Sequence, residues 1–155
     1  MAFTLSSKSF GNGEAIPAKH TADGENISPA LSWSDVPENT SAFALIMDDP
    51  DAPAPWEFFT HWVLVNIPPE VRELPEGVPT TETLENGAVQ GTTGSGGVGY
   101  FGPSPPPGKP HGYRFILYAL DAPLASGPGL TKEAAQKAMA GHILGEAQLV
   151  GIYKR

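Results

Sequence analysis

Apolar residues along this chain fall into short unbroken runs separated by polar stretches rich in glycine and proline. Positions 42–47 (AFALIM) form one such run, which ends at Asp48-Asp49-Pro50. Positions 61–67 (HWVLVNI) form a second, stopped by Pro68-Pro69, and positions 112–120 (GYRFILYAL) a third. Runs this short, bounded by turn residues, predict buried central strands rather than helices. Positions 3–7, 31–34 and 149–153 predict further, shorter strands. One helix is predicted, with Thr131 as cap of 132–144 (KEAAQKAMAGHIL) and Glu133 in its first turn, where a carboxylate complements the dipole. Ala134, Ala135, Ala138 and Ile143 make its packed face. Positions 68–76 (PPEVRELPE) predict one helical turn at most, and 11–29 reads as loop. The pattern implies a mainly β fold of antiparallel strands, a β-sandwich type of layout with long Gly/Pro loops. No repeat occurs and no linker separates two apolar cores, so one domain is expected over 1–155.

Composition sharpens this picture. Glycine (18) and proline (17) together make 35 of 155 residues, near 23%, against about 12% in average proteins. That excludes a helical bundle or coiled coil, since both residues break helix interiors. It also raises disorder as a possibility, which the apolar fraction of 40% and the dense runs argue against. With no cysteine there is no disulfide, thiolate zinc site or cysteine nucleophile. Nine basic against 17 acidic residues give a formal charge of −8, which disfavours binding to a nucleic-acid backbone. The N-terminus lacks the charged and apolar segments of a signal peptide, and no apolar run approaches a membrane-spanning length. A cytoplasmic protein is therefore expected.

Candidate chemistry gathers at three strand ends. Asp49 and Asp51, in D-P-D-A-P, follow the first central strand; His61 opens the second; His111 and Tyr113 lie at the start of the third. If the first two strands are antiparallel neighbours and the third runs with the second, all five side chains share one rim of the sheet. Pro50 and Pro53 stiffen the aspartate loop. His20 and His142 have no such setting, and His142, near the predicted helix end, reads as structural. The rim set admits two readings. Two histidines and two carboxylates suit a metal ion, although their spacing matches no compact ligand motif. Alternatively, imidazoles, a tyrosine hydroxyl and backbone N–H groups from the glycine-rich loop 94–102 form an anion pocket. That loop lies within positions 87–112, 26 residues holding nine Gly and five Pro, which composition alone allows to be mobile or ordered. Positions 94–99 fit G-x-G-x-x-G, but prolines rather than a helix follow, so a dinucleotide site is excluded.

These residues also resemble a known family. The segments DDPDAP (48–53), THWVLVNIP (60–68), YFGPSPPPGKPHGYRFILYALD (100–121) and GHILGEAQLVGIYKR (141–155) resemble the phosphatidylethanolamine-binding proteins, or Raf kinase inhibitor proteins. Similarity is strongest to the small bacterial and archaeal YbhB/YbcL-like branch. The resemblance implies two packed antiparallel sheets with a small anion pocket at one end. By matching position it implies Asp49, Asp51, His61, the loop Gly102-Pro103-Ser104-Pro105-Pro106, His111 and Tyr113 as ligand-binding residues. It implies phosphate-bearing head groups, nucleotides or simple anions as ligands, a non-catalytic role without cofactor or metal, inhibition of a partner kinase or protease, and a homodimer. Gly112 stands where the family often has arginine, with Arg114 two positions on, which predicts a basic partner that is displaced or absent. The competing expectations are a metal-dependent hydrolase using the Asp/His cluster, and a protein-interaction module with a vestigial pocket.

Overall fold

The three unbroken apolar runs become the middle of one antiparallel sheet. A computed structural model describes residues 2–53, 58–125, 127 and 129–155. In chain order its elements are β1 (Thr4–Ser6), β2 (Leu31–Ser34), β3 (Ala42–Asp49), β4 (Phe59–Ile67), β5 (Glu73–Leu74), β6 (Val89–Gln90), β7 (His111–Leu120), α1 (Lys132–Met139) and β8 (Ile143–Tyr153). The strands make a five-stranded sheet ordered β6-β4-β3-β7-β8 and a three-stranded sheet ordered β1-β2-β5. Every strand pairing is antiparallel. β4 and β7 both run against β3, so they run parallel to each other and start at the same rim. Of the β3–β4 loop expected at 49–60, positions 54–57 lie outside the described residues.

β3 is buried along its whole length because the large sheet is covered on both faces, which is why the runs are continuous rather than alternating. On one face Phe43, Leu45, Met47, Trp62, Leu64, Phe115 and Leu117 pack against Leu5, Leu31 and Trp33 of the small sheet. On the other, Ala44, Ile46, Val63, Val65 and Ile116 lie under Ala135 and Met139 of α1. Alternation along β3 then sends its last two residues opposite ways. Asp49 follows Leu45 and Met47 toward the space between the sheets. Asp48 follows Ala44 and Ile46 toward the helix.

The helix ends sooner than expected. Thr131 caps it as predicted, its hydroxyl accepting from Ala134 N at 3.1 Å. It stops at Met139, however, and Gly141 turns the chain with φ +84°, a left-handed conformation open to glycine. Ile143 is therefore not on the helix face but opens β8, which begins well before the predicted 149 and leaves Ile143 44% exposed. Within the helix Lys132, Ala135 and Met139 are buried, whereas Ala134 is exposed. Positions 68–76 carry a single hydrogen-bonded turn, Val71 N donating to Pro68 O at 3.1 Å, followed by the short strand β5, and the 11–29 loop holds one 3-10 turn at Ala18–His20.

The stretch 87–112 is ordered. Gly91 N donates to Val63 O (2.9 Å), Gly94 N to Thr60 O (2.8 Å) and Phe101 N to His61 O (2.9 Å), so the loop runs beside β4. At Gly91 an added Cβ would sit 2.2 Å from Leu130 O, so the close approach itself requires glycine.

Candidate functional site

The shared rim of β3, β4 and β7 opens into a cavity of about 460 Å³. Its walls carry Asp49, Ala52, Pro53, Phe59, His61, Gly94, Ser95, Phe101, Ser104, Pro105, Pro106, His111 and Tyr113. Seven of the ten residues expected at the site thus line one space, and Asp51, Gly102 and Pro103 do not. Asp51 and Gly102 stand behind the wall. Asp51 accepts from Gly112 N at 2.8 Å, and its own N–H donates to Asp49 Oδ1 at 2.8 Å. It staples the β3 turn to β7. Gly102 N donates to Asn26 Oδ1 at 2.8 Å.

His61 reaches the cavity through an irregularity in β4. Met47 pairs with Trp62 and Asp48 with Thr60, leaving His61 as the extra residue of a bulge. Strict alternation would point His61 away from its neighbour Trp62; a bulge re-aims the side chain. Its ring lies among Phe59, Phe101 and Tyr113, nearly parallel to Phe101 (10°, centroids 5.6 Å apart). His61 Nδ1 lies 2.5 Å from Phe101 O. A carbonyl only accepts, so Nδ1 carries the hydrogen. Burial lowers the His61 pKa from its ordinary 6.5, against the pull of the Phe101 carbonyl and of the Asp49 and Asp48 charges.

His111 is oriented by a carboxylate. Its Nδ1 donates to Asp49 Oδ2 at 2.6 Å, both side chains being almost fully buried. Asp49 is thereby engaged at both oxygens, by Asp51 N–H and by His111. Tyr113 is fully buried, and its hydroxyl makes no close hydrogen bond within the protein, although it lies near enough to Asp49 to interact with that carboxylate. Burial, reinforced by the nearby Asp49 charge, pushes its phenol well above the ordinary range, so the hydroxyl stays protonated and able to donate.

The glycine-rich loop supplies fewer donors than its composition suggests. Gly94 and Phe101 donate to β4 carbonyls, Gly96 N to Thr93 O (3.0 Å) and Gly102 N to Asn26. These N–H groups hold the loop and do not form a row facing the cavity. The loop is also tied from behind, in contacts the sequence did not reveal. Tyr100 OH donates to His20 O (2.6 Å) and Ala22 N to Pro103 O (2.9 Å). The buried His20 ring is itself held by Ile27 O and Ser9 Oγ, at 2.9 and 3.1 Å. His142 pairs with Asp121 at 2.8 Å on the surface, away from the site.

Arg114 and Arg155 are both engaged. Arg114 points to the helix face, where it donates twice to Asp48 (2.8 and 2.7 Å) beside Lys132 (2.8 Å). Arg155 binds Asp23 (2.8 Å) and donates to the carbonyl of the wall residue Pro105 (3.3 Å). No lysine or arginine lines the cavity among the described residues. Among those residues there is also no group of three His, Asp or Glu side chains placed to hold a metal ion. No helix is long and apolar enough to cross a membrane among the same residues.

Comparison with known proteins agrees with this architecture. The family described as phosphatidylethanolamine-binding protein matches residues 6–154. A UPF0098 protein of Methanothermobacter thermautotrophicus is 51% identical, covering 97% of this chain and 98% of its own. A UPF0098 protein of Aquifex aeolicus is 47% identical over 96% of this chain and 86% of its own. Among solved structures, Escherichia coli YbcL, described as a member of the mammalian PEBP family, superposes with a TM-score of 0.93 at 32% identity, over 100% and 99% of the two chains. A Chlamydia trachomatis PEBP homolog gives 0.90 at 40% identity, over 99% and 98%.

Proposed function

The chain belongs to the phosphatidylethanolamine-binding protein family, and from that premise we propose that its rim cavity is a non-catalytic binding site for phosphate-type anions. Membership supports a binding-type function; the anion class is the finer step. The observation that carries it is Tyr113, whose buried, protonated hydroxyl makes no close hydrogen bond within the protein, in the wall of a cavity that also holds two oriented imidazoles. An unsatisfied buried hydroxyl costs about 1–3 kcal/mol, so it awaits an acceptor from outside the chain. Phe59, Phe101 and the proline wall give the mouth an apolar lining suited to the carbon skeleton of a phosphate ester. The proposal extends to regulation of a partner kinase or protease by the occupied site, in a cytoplasmic homodimer.

Calorimetric titration with phosphate or phosphoethanolamine tests the site. His111→Ala is expected to weaken binding by about tenfold or more, close to 1.4 kcal/mol. Unchanged affinity in that variant would remove the cavity assignment.

Tyr113→Phe gives an opposite pair of effects. Deleting the hydroxyl is expected to leave thermal stability unchanged or raise it by up to about 1 kcal/mol. Phosphate affinity falls in the same protein. A clear loss of stability would mean that the hydroxyl serves the fold.

The competing readings use the same residues differently. A metal-dependent hydrolase would need Asp49 and Asp51 to turn lone pairs toward a shared ion. Their close hydrogen bonds instead hold His111 and the β7 backbone.

A further inference from the structure

We propose that this cavity selects oxyanions that carry a proton, so that it accepts a phosphate group through its P–OH and discriminates against sulfate, with His61 imposing the choice. This rests on the anion-site reading above and specifies the chemistry of its ligand.

The orientation of the His61 ring is fixed by the protein. Nδ1 donates to Phe101 O at 2.5 Å, which leaves Nε2 of the neutral ring as a lone pair. The ring is kept neutral by its surroundings. Phe59 of β4, Phe101 of the following loop and Tyr113 of β7 enclose it, and burial outweighs the pull of Asp49 and Asp48, while the His111 charge acts with burial. A ligand oxygen without hydrogen therefore meets a lone pair at this point.

The charge balance points the same way. Asp49 brings a carboxylate to the cavity wall. Arg114 and Lys132 are bound to Asp48 on the opposite face of the sheet, and Arg155 is bound to Asp23. The Gly94 to Gly102 loop has already committed several N–H groups to protein acceptors. A fully ionised oxyanion would enter with no dedicated cation and with one unmatched lone pair. A proton on the ligand corrects both: P–OH donates to His61 Nε2, the net charge drops by one, and Tyr113 OH donates to a bare oxygen. Inorganic phosphate keeps a P–OH as hydrogenphosphate well above neutrality, and a monoester gains one near neutrality, at a second pKa of about 6. Sulfate carries none in that range. A site built around a hydrogen bond rejects the isosteric ligand that cannot make it.

Calorimetric titration of the intact protein with inorganic phosphate and with sulfate, each in two buffers of different ionisation heat, decides this. At about pH 8, phosphate, which still carries a P–OH there as hydrogenphosphate, is expected to bind about tenfold or more tightly than sulfate, without net proton uptake. At a pH below the lowered pKa of His61 the gap narrows, because a protonated His61 offers sulfate a donor. His61→Gln, whose amide can donate, is expected to bring the two anions within about threefold. Equal binding of both anions at about pH 8 would overturn the selectivity and leave the anion site standing. A preference unchanged in His61→Gln would overturn the role of His61. Failure of both anions to bind at either pH would remove the anion site and the selectivity with it.

Discussion

Replacing Asp48 with alanine is expected to destabilise the protein by about 3–5 kcal/mol, the cost of leaving buried charge unpaired. Asp48 is 1% exposed and sits under α1, not in the cavity. It receives two hydrogen bonds from Arg114, its cross-strand partner on β7, and one from Lys132 at the start of the helix. Phe58 covers both cations, its ring centroid 5.5 Å from the Arg114 guanidinium carbon and 5.3 Å from Lys132 Nζ. Lys132 is itself buried, so removal of the carboxylate strands an ammonium under the helix and loosens α1 from β3. Urea denaturation at neutral pH measures the effect, and a loss below about 1 kcal/mol would place this cluster among weak surface pairs.

The same cluster sets the acid limit. Burial opposes ionisation of Asp48, but hydrogen bonds from Arg114 and Lys132 hold its carboxyl below the ordinary 3.8. A depressed carboxyl stabilises the fold fully above the unfolded-chain value, and that contribution is lost as pH falls through the native one. Two buried histidines open an earlier window. His20 and His61 are both lowered from 6.5 by burial. The unfolded chain takes those protons first, so stability begins to decline as pH falls below 6.5.

How much of this was legible in the sequence depends on the range of the interaction that decides it. The central strands were legible because burial on both faces writes itself as unbroken apolar runs. From their directions the rim followed, and with it Asp49, His61, His111 and Tyr113. What escaped depended on contacts distant in sequence. The bulge that turns His61 inward is a matter of register between β3 and β4, and neither strand betrays it alone. The helix overran its true end because Ile143 continues an apolar pattern through Gly141; glycine after a helical stretch was the available stop signal. Asp48 stood in plain sight beside Asp49, yet its role required pairing β3 with β7, after which Arg114 falls directly opposite. The glycine loop misled in another way. Its composition is right for an anion nest, but several of its N–H groups bind the protein itself. Asp51 and Gly102 match the family pattern by position and serve by holding other parts in place.

Gly102 makes the sharpest test of that distinction between touching a ligand and shaping its site. A Cβ at position 102 would lie 2.4 Å from His20 O, 2.5 Å from Asn26 Oδ1 and 3.0 Å from Thr21 Cα. Two of these are backbone atoms, so the clash cannot be relieved by a side-chain rotation. Gly102→Ala must push the 102–106 wall away from the segment that carries the 3-10 turn, breaking the 2.8 Å bond to Asn26 and straining the Tyr100 and Pro103 ties beside it. A destabilisation of about 1–3 kcal/mol is expected from this overpacking. Because the displaced segment carries Ser104, Pro105 and Pro106 of the cavity wall, phosphate affinity is expected to fall by about tenfold or more as well. Gly112→Ala provides the contrast. There an added Cβ meets nothing closer than 3.6 Å, and both stability and binding should stay near wild type although the residue adjoins His111 and Tyr113. If Gly102→Ala bound phosphate normally while Gly112→Ala did not, the wall would be held from β7 rather than from behind, and the tie through Asn26 would lose its role.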